Sequence, residues 1–344
     1  MNITVMLTCV GGELAPQMLI DLRLHSRHDV KVIGTDVNKL AIGRNFCDEF
    51  EVVPNGSDSS YIEVIKEASI RHNVDLIIPT SDEEAIAISL ARKVFENEGI
   101  KLACTDSSTL EILTDKAKTY SKLKEYGIHT PIWLQVDTID DLKQIVQDMY
   151  RELGEVVVKP VQGRGGRGVH IITKSITGMK QHIDKREIHS DIETFLRDLV
   201  KGLSDSFPVV VMERLVEPVF DLDLLAWKGD PIRVIPRRRI DPAVPNLGHT
   251  IIKDENLIEL GESLINLFQL SWLYDCDVMY DKKGNPCVLE INPRESGSVA
   301  ISIAAGVPLL DDLISLSIQE KIPEIELPDG VTIIPYKSLF NMNK

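Results

Sequence analysis

Glu290-Ile291-Asn292-Pro293-Arg294 sets a carboxylate, an amide oxygen and a guanidinium within five residues, near the end of a 344-residue chain. The apolar run Pro286-Cys287-Val288-Leu289 before it follows a turn at Lys282-Lys283-Gly284-Asn285. The segment therefore reads as a buried strand that delivers polar groups where it leaves the core. Alternate residues of a strand face one side, which puts Glu290, Asn292 and Arg294 together. Hard oxygen donors suit a dication such as Mg²⁺, and a planar guanidinium suits phosphate carried by that ion. The blander reading is a solvated strand end with a surface ion pair.

Features upstream weigh against that reading. Val156-Val157-Val158-Lys159-Pro160 is a second apolar strand, ending in a lysine and followed by Gln162-Gly163-Arg164-Gly165-Gly166-Arg167-Gly168 and a further strand. Glycines let backbone N–H groups approach phosphate oxygens closely. A strand follows, and no Gly-Lys-Ser/Thr is present, so the segment reads as a hairpin lid that closes over phosphates and excludes water. Lys116 lies earlier, within an expected helix, and alone would pass for a solvated charge. Val209-Val210-Val211-Met212 delivers Glu213, then Arg214-Leu215-Val216. A carboxylate beside an apolar strand end is what an adenine ring needs, one acceptor for its amine and one backbone N–H.

These residues need elements to position them. Short apolar runs at Ile3–Thr8, Val30–Gly34, Val74–Pro79 and Ile100–Ala103 alternate with helical patterns at Leu14–Leu24, Tyr61–His72 and Glu83–Glu98, which predicts a parallel sheet covered on both faces. Its first turn, Val10-Gly11-Gly12-Glu13, and Asp36 after the second strand stand where a dinucleotide fold keeps its phosphate loop and ribose carboxylate, but the full glycine fingerprint is missing. One long helix is expected over Ser107–Tyr126. Then come a helix at Ile139–Glu152, strands at Glu155–Lys159 and Val169–Thr173, and a helix at Ile192–Lys201. Further strands are expected at Val209–Glu213, Leu222–Trp227, Arg233–Arg239, Trp272–Tyr280 and Cys287–Ile291. Helices are expected at Asn256–Phe268, Ser298–Ala305 and Leu309–Ile318, with an irregular closing segment beyond Ile322.

A hydrophobic content of 43% with 26% charged residues is ordinary for a globular protein, and no apolar run approaches the ~20 residues of a membrane span. A net charge of −15 argues against nucleic acid or an anionic membrane as partner, whereas local basic groups at Arg164/Arg167 and Arg237-Arg238-Arg239 suit an anionic small molecule. The start reads as a first strand, not a leader peptide, and Cys9, Cys47, Cys104, Cys276 and Cys287 are scattered without paired or metal-like spacing. Reduced thiols in a cytoplasmic protein are expected. An apolar stripe on an early helix suits a homodimer.

In order, Lys116, Lys159 with its glycine loop, Glu213 with its hinge, and Asp277, Glu290, Asn292 and Arg294 resemble the ATP-grasp superfamily, in particular its carbamoyl-phosphate-synthase-like and carboxylate–amine ligase branches. Gly34-Thr35-Asp36, Asp48, Val53-Pro54 and Ile78-Pro79-Thr80-Ser81-Asp82-Glu83-Glu84 extend the likeness into the first lobe. The resemblance implies an α/β and α+β protein: a Rossmann-like preliminary domain at 1–106, an ATP-grasp domain at 107–320 with a lid at about 128–208, and a closing segment at 321–344. It also implies ATP and Mg²⁺ (with Mn²⁺ as a substitute), small carboxylate and amine substrates, and amide formation through an acyl phosphate.

Residue by residue, the likeness gives Lys116 and Lys159 the α- and β-phosphates, with Gln162, Gly163, Arg164, Gly165, Gly166 and Gly168 closing above. Glu213, Arg214, Leu215 and Val216 would form the adenine hinge, and Glu217 or Asp221 would hold the ribose. Asp277, Glu290 and Asn292 would ligate one or two metal ions, with Asp275 a competitor for the first position. Arg294 would steady the transferred phosphate, and Arg237 or Arg239 would face the substrate carboxylate. Gly248-His249-Thr250 matches a carbamoyl phosphate synthase segment without an assigned role. A single ATP-grasp unit without a glutamine-hydrolysing domain excludes a complete carbamoyl phosphate synthase. Carbamoyl-phosphate-type chemistry on bicarbonate and a non-catalytic ATP-binding regulator are the alternatives.

Overall fold

The computed structural model describes residues 2–163, 167–180 and 187–341. Strands β1 (Asn2–Leu7), β2 (Asp29–Asp36), β3 (Glu49–Val52), β4 (Leu76–Ile78) and β5 (Lys101–Leu102) form a parallel sheet in the order β3-β2-β1-β4-β5. Met6, Ile33 and Ile77 meet Tyr61, Ile65, Ile88 and Phe95 from the covering helices in one buried cluster. Each such apolar side chain contributes about 1.5–3 kcal/mol.

A second sheet contains β6 (Trp133–Val136), β7 (Val156–Pro160), β8 (His170–Ile172), β9 (Met179–Lys180), β10 (Ile188–Ser190) and β11 (Val209–Glu213), ordered β6-β11-β7-β8-β10-β9. The helix Ile139–Leu153 covers it. Thr138 caps that helix by accepting from Asp141 N at 3.2 Å, Gly154 ends it at φ +80°, and Leu142, Val146 and Met149 form its buried stripe.

The third sheet contains β12 (Val216–Trp227), β13 (Asp230–Arg239), β14 (His249–Ile251), β15 (Trp272–Tyr280), β16 (Pro286–Asn292) and β17 (Thr332–Ile333), ordered β16-β15-β12-β13-β14-β17. Lys228 and Gly229 join β12 to β13 with φ of +55° and +85°, the sign at both positions that a two-residue hairpin turn needs. The resulting register sets Asp221 opposite Arg237 and Asp223 opposite Ile235.

The chain packs into two compact units, each built from discontinuous stretches. The first takes the residues through Leu110, Phe220–Asp277, and those from Ile291 on; the second takes Glu111–Val219 and Val278–Glu290. These limits differ from the contiguous division at 106/107 and 320/321, because β12, β15 and β16 each run from one unit into the other.

Several expected elements are interrupted. The pattern at Glu83–Glu98 forms two helices meeting at Ala91, and Ser107–Tyr126 divides at Thr114-Asp115. The expected helix at Ile192–Lys201 is one α-turn followed by π and 3₁₀ turns. Strands β3, β6, β9, β10, β14 and β17 were not expected, and β17 lies inside the supposedly irregular tail.

Candidate active site

In the second unit the division at Asp115 decides where Lys116 lies. The Asp115 carboxylate accepts from Lys118 N at 3.0 Å and so starts a new helix, Lys116–Glu125. Lys116 thus stands at a helix start instead of within one. Its backbone N–H donates to Val161 O at 2.9 Å, and its ammonium donates to Gly163 O at 2.8 Å and lies 3.2 Å from Glu290 Oε2. Its side chain is 9% exposed, so it is no solvated surface lysine.

Lys159 pairs in register with Val210, and its Nζ donates to Tyr120 Oη at 3.1 Å and to Leu289 O at 3.4 Å. Tyr120 in turn donates to Leu289 O at 2.8 Å and packs against Trp133. Tyr120 is therefore a post beneath Lys159, a role that a sequence reading treating it as one apolar residue of a helical stripe missed. The available signal was its hydroxyl, since a buried tyrosine needs a partner.

Glu213 Oε1 accepts from Ile132 N at 2.8 Å, and Glu213 N donates to Ile132 O at 2.9 Å, so one carboxylate oxygen is already committed. Arg214 turns to Glu155 at 2.8 Å, Leu215 is buried and Val216 is exposed. Gln162, Gly163 and Gly168 are exposed, whereas Arg164, Gly165 and Gly166 lie outside the described residues.

In the first unit a charged network lines the third sheet. Arg239 grips Asp221 through Nε at 2.9 Å and through Nη2, and its Nη2 also reaches Asp277 Oδ2 at 2.8 Å. His249 Nε2 lies 2.5 Å from Asp221 Oδ2, which gives the unassigned Gly248-His249-Thr250 segment a place. Burial pushes the Asp221 carboxyl up, but Arg239, His249 and Arg237 outweigh it and hold the group below the usual carboxylate range. Only 1% exposed, Asp221 is spent inside the network, which corrects its candidacy for ribose; Glu217, the other candidate, is exposed.

Arg237 is likewise corrected as a group facing substrate. It has no exposure, and it donates to Asp223 Oδ1 at 2.8 Å and to Ser298 Oγ at 2.7 Å. Asp275 is buried, and burial together with the charges of Asp221 and Asp277 pushes its carboxyl well up. It accepts from Asn292 Nδ2 at 2.9 Å, which orients the amide and leaves Asp277, 15% exposed, as the more accessible carboxylate. Arg294 Nε donates to Asp82 Oδ1 at 3.0 Å, at the start of the helix Asp82–Leu90.

Carboxylate and amide oxygens are donors that a hard dication takes; in the second unit Glu290 faces Lys116, and in the first Asp277 faces Arg239. The first turn of the lobe does not resemble an open dinucleotide loop. Asp36 Oδ2 accepts from Gly11 N at 2.7 Å, and a Cβ on Gly11 would come within 2.8 Å of that oxygen. The carboxylate a ribose would need closes the turn instead. Among the described residues, no helix is long and apolar enough to cross a membrane.

Three family models match the chain: "PylC-like, N-terminal domain" at residues 11–103, "Sugar-transfer associated ATP-grasp" at 97–240 and "ATP-grasp in the biosynthetic pathway with Ter operon" at 205–336. A carbamoyl-phosphate synthase of Methanobrevibacter smithii is 24% identical over 296 residues, 84% of this chain and 74% of that protein. The carbamoyl phosphate synthase large chain of Clostridium acetobutylicum is 24% identical over 65% of this chain, which spans only 20% of that protein. The structure of N5-carboxyaminoimidazole synthetase from Staphylococcus aureus complexed with ADP superposes with a TM-score of 0.68 at 17% identity, covering 94% of this chain and 80% of that one.

Proposed function

Because this chain belongs to the ATP-grasp superfamily, we propose that it is an Mg-ATP-dependent ligase that activates a carboxylate as an acyl phosphate and couples it to an amine, releasing ADP and phosphate. The observation that carries this reading is the meeting of Lys116, Lys159 and the Glu290 strand end, drawn from a helix start, β7 and β16. Lysines that far apart in sequence, set against one carboxylate-bearing strand, suit a bound triphosphate.

In the proposed reaction Lys116 and Lys159 neutralise the α- and β-phosphates, while Glu213 and the backbone through Val216 receive the adenine. Glu217 is the ribose partner. Asp277, Glu290 and Asn292 would hold Mg²⁺, with Mn²⁺ as a substitute; the ion would supply neutralisation of phosphate charge. Arg294, oriented by Asp82, steadies the phosphate as it passes to the substrate carboxylate, and Arg239 is the accessible arginine toward that carboxylate. The amine then displaces phosphate from the acyl carbon. The protein thus contributes position and charge, and needs no covalent nucleophile. A cytoplasmic location suits cysteines outside any disulfide, Cys9, Cys47, Cys104, Cys276 and Cys287, and a homodimer is part of the same proposal.

ADP release, measured across amino acids and small carboxylates with and without amines and followed by mass analysis of products, tests the reading. Release requiring both an acid and an amine supports it. ATP binding without turnover across the panel would instead favour a regulator. Because two of the matched relatives are carbamoyl phosphate synthases, bicarbonate belongs in the panel, and release with bicarbonate alone would favour the carbamoyl-phosphate-type reaction.

A further inference from the structure

At the turn of the β15–β16 hairpin, three side chains of the second unit converge that the proposed reaction does not use. Asp281 shapes the turn: its Oδ1 accepts from the backbone N–H groups of Lys283 and Asn285, both at 2.8 Å, and its Oδ2 accepts from Asn285 Nδ2 at 2.8 Å. His129 Nε2 lies 2.9 Å from the same Oδ2 and its side chain is 48% exposed, while Cys287 is fully buried near the start of β16. One nitrogen, one oxygen and one sulfur from these residues all lie within 4.8 Å of one another.

We propose that His129, Asp281 and Cys287 form a binding site for a borderline-soft divalent ion of the zinc class, with a water or exogenous ligand in the fourth position on the exposed histidine side. The donor types are those zinc takes, and bonds of about 2.0–2.3 Å set tetrahedral ligand atoms roughly 3.3–3.8 Å apart. The carboxylate therefore needs only a small opening from histidine, and the sulfur a small approach. The three donations to Asp281 fix its orientation as second-sphere contacts do at metal sites. Burial, with the negative charges of Asp281 and Glu213, pushes the Cys287 thiol up to about 12. A bare thiolate is disfavoured there by the same negative charge that a dication would offset. Such an ion would clip the segment after the Lys116 helix to the hairpin leading to Glu290, and it is independent of the Mg-ATP reading. The competing account is a hydrogen-bonded turn in which the Cys287 thiol donates to Asn285 O at 3.7 Å.

Titration of the metal-free full chain with Co²⁺ and Zn²⁺ distinguishes the two. The site predicts one equivalent of Co²⁺ with a thiolate-to-cobalt charge-transfer absorption, displaced by Zn²⁺, and about one proton released per ion bound at neutral pH. Cys287→Ser should abolish the band. His129→Ala, at a partly exposed position, should retain the fold and weaken Zn²⁺ binding by at least tenfold, removing the rise in melting temperature that Zn²⁺ gives the parent chain. Absence of the band, its persistence in Cys287→Ser, or an equal Zn²⁺ shift in His129→Ala overturns the site.

Discussion

Replacing Glu290 by alanine removes a proposed metal ligand and an ion-pair partner of Lys116 while leaving β16 its apolar residues. We expect ATP turnover to fall at least a thousandfold with an unchanged circular dichroism spectrum; near-normal ADP release would refute the metal assignment. Tyr120→Phe is subtler. It deletes one donor to Leu289 O and one acceptor for Lys159 Nζ and leaves the ring packed on Trp133. A lost buried hydrogen bond costs about 1–2 kcal/mol, so ATP affinity should weaken roughly five- to thirtyfold, read as KM for ATP, with kcat nearly unchanged. An equal fall in kcat would mean that Tyr120 acts beyond holding the lysine.

At the scale of elements, the break before Lys116 places the lysine. Asp115→Ala should cost about 1 kcal/mol of stability through the lost cap and raise KM for ATP; urea denaturation and steady-state kinetics read the two effects. The break was not legible in the sequence because Leu110, Leu113, Ala117, Tyr120 and Leu123 hold a helical spacing straight through it. Only the capping carboxylate of Asp115 marks the new start. Tyr61–His72, Val209–Glu213 and Trp272–Tyr280 were legible to the residue, since their patterns are long or strongly apolar and cleanly bounded. Strands β6, β9, β10 and β17 were not: they are short segments with few buried side chains, whose identity comes from the partner they pair with. The same limit applied to Arg237 and Asp221. Their residue types suggested ligands, but the register of β12 on β13 turned them toward each other's neighbours in the core.

For the whole molecule, the buried charges make stability depend on pH in a definite direction. Glu295 is 3% exposed, and burial pushes its carboxyl from an ordinary 4.5 up to about 8. Between those values the folded state holds a proton that the unfolded chain has released, so its contribution to stability falls as pH rises from about 4.5 to about 8. Glu295→Gln should flatten that slope in denaturation followed at pH 5, 6.5 and 8. Asp221 works oppositely, since a carboxyl held low contributes stability above its unfolded value that is lost on acidification. Mg-ATP at a hundred times its Kd should add about 2.7 kcal/mol, seen as a rise in melting temperature that NAD(P)H does not give and Lys159→Ala loses. Lys116 resting on Glu290 and Arg239 on Asp277 have a practical corollary: the apoprotein carries its own counterions. If the proposed reaction holds, chelator treatment should silence the enzyme without unfolding it, and nucleotide arrival would exchange ionic partners instead of filling a bare acidic hole.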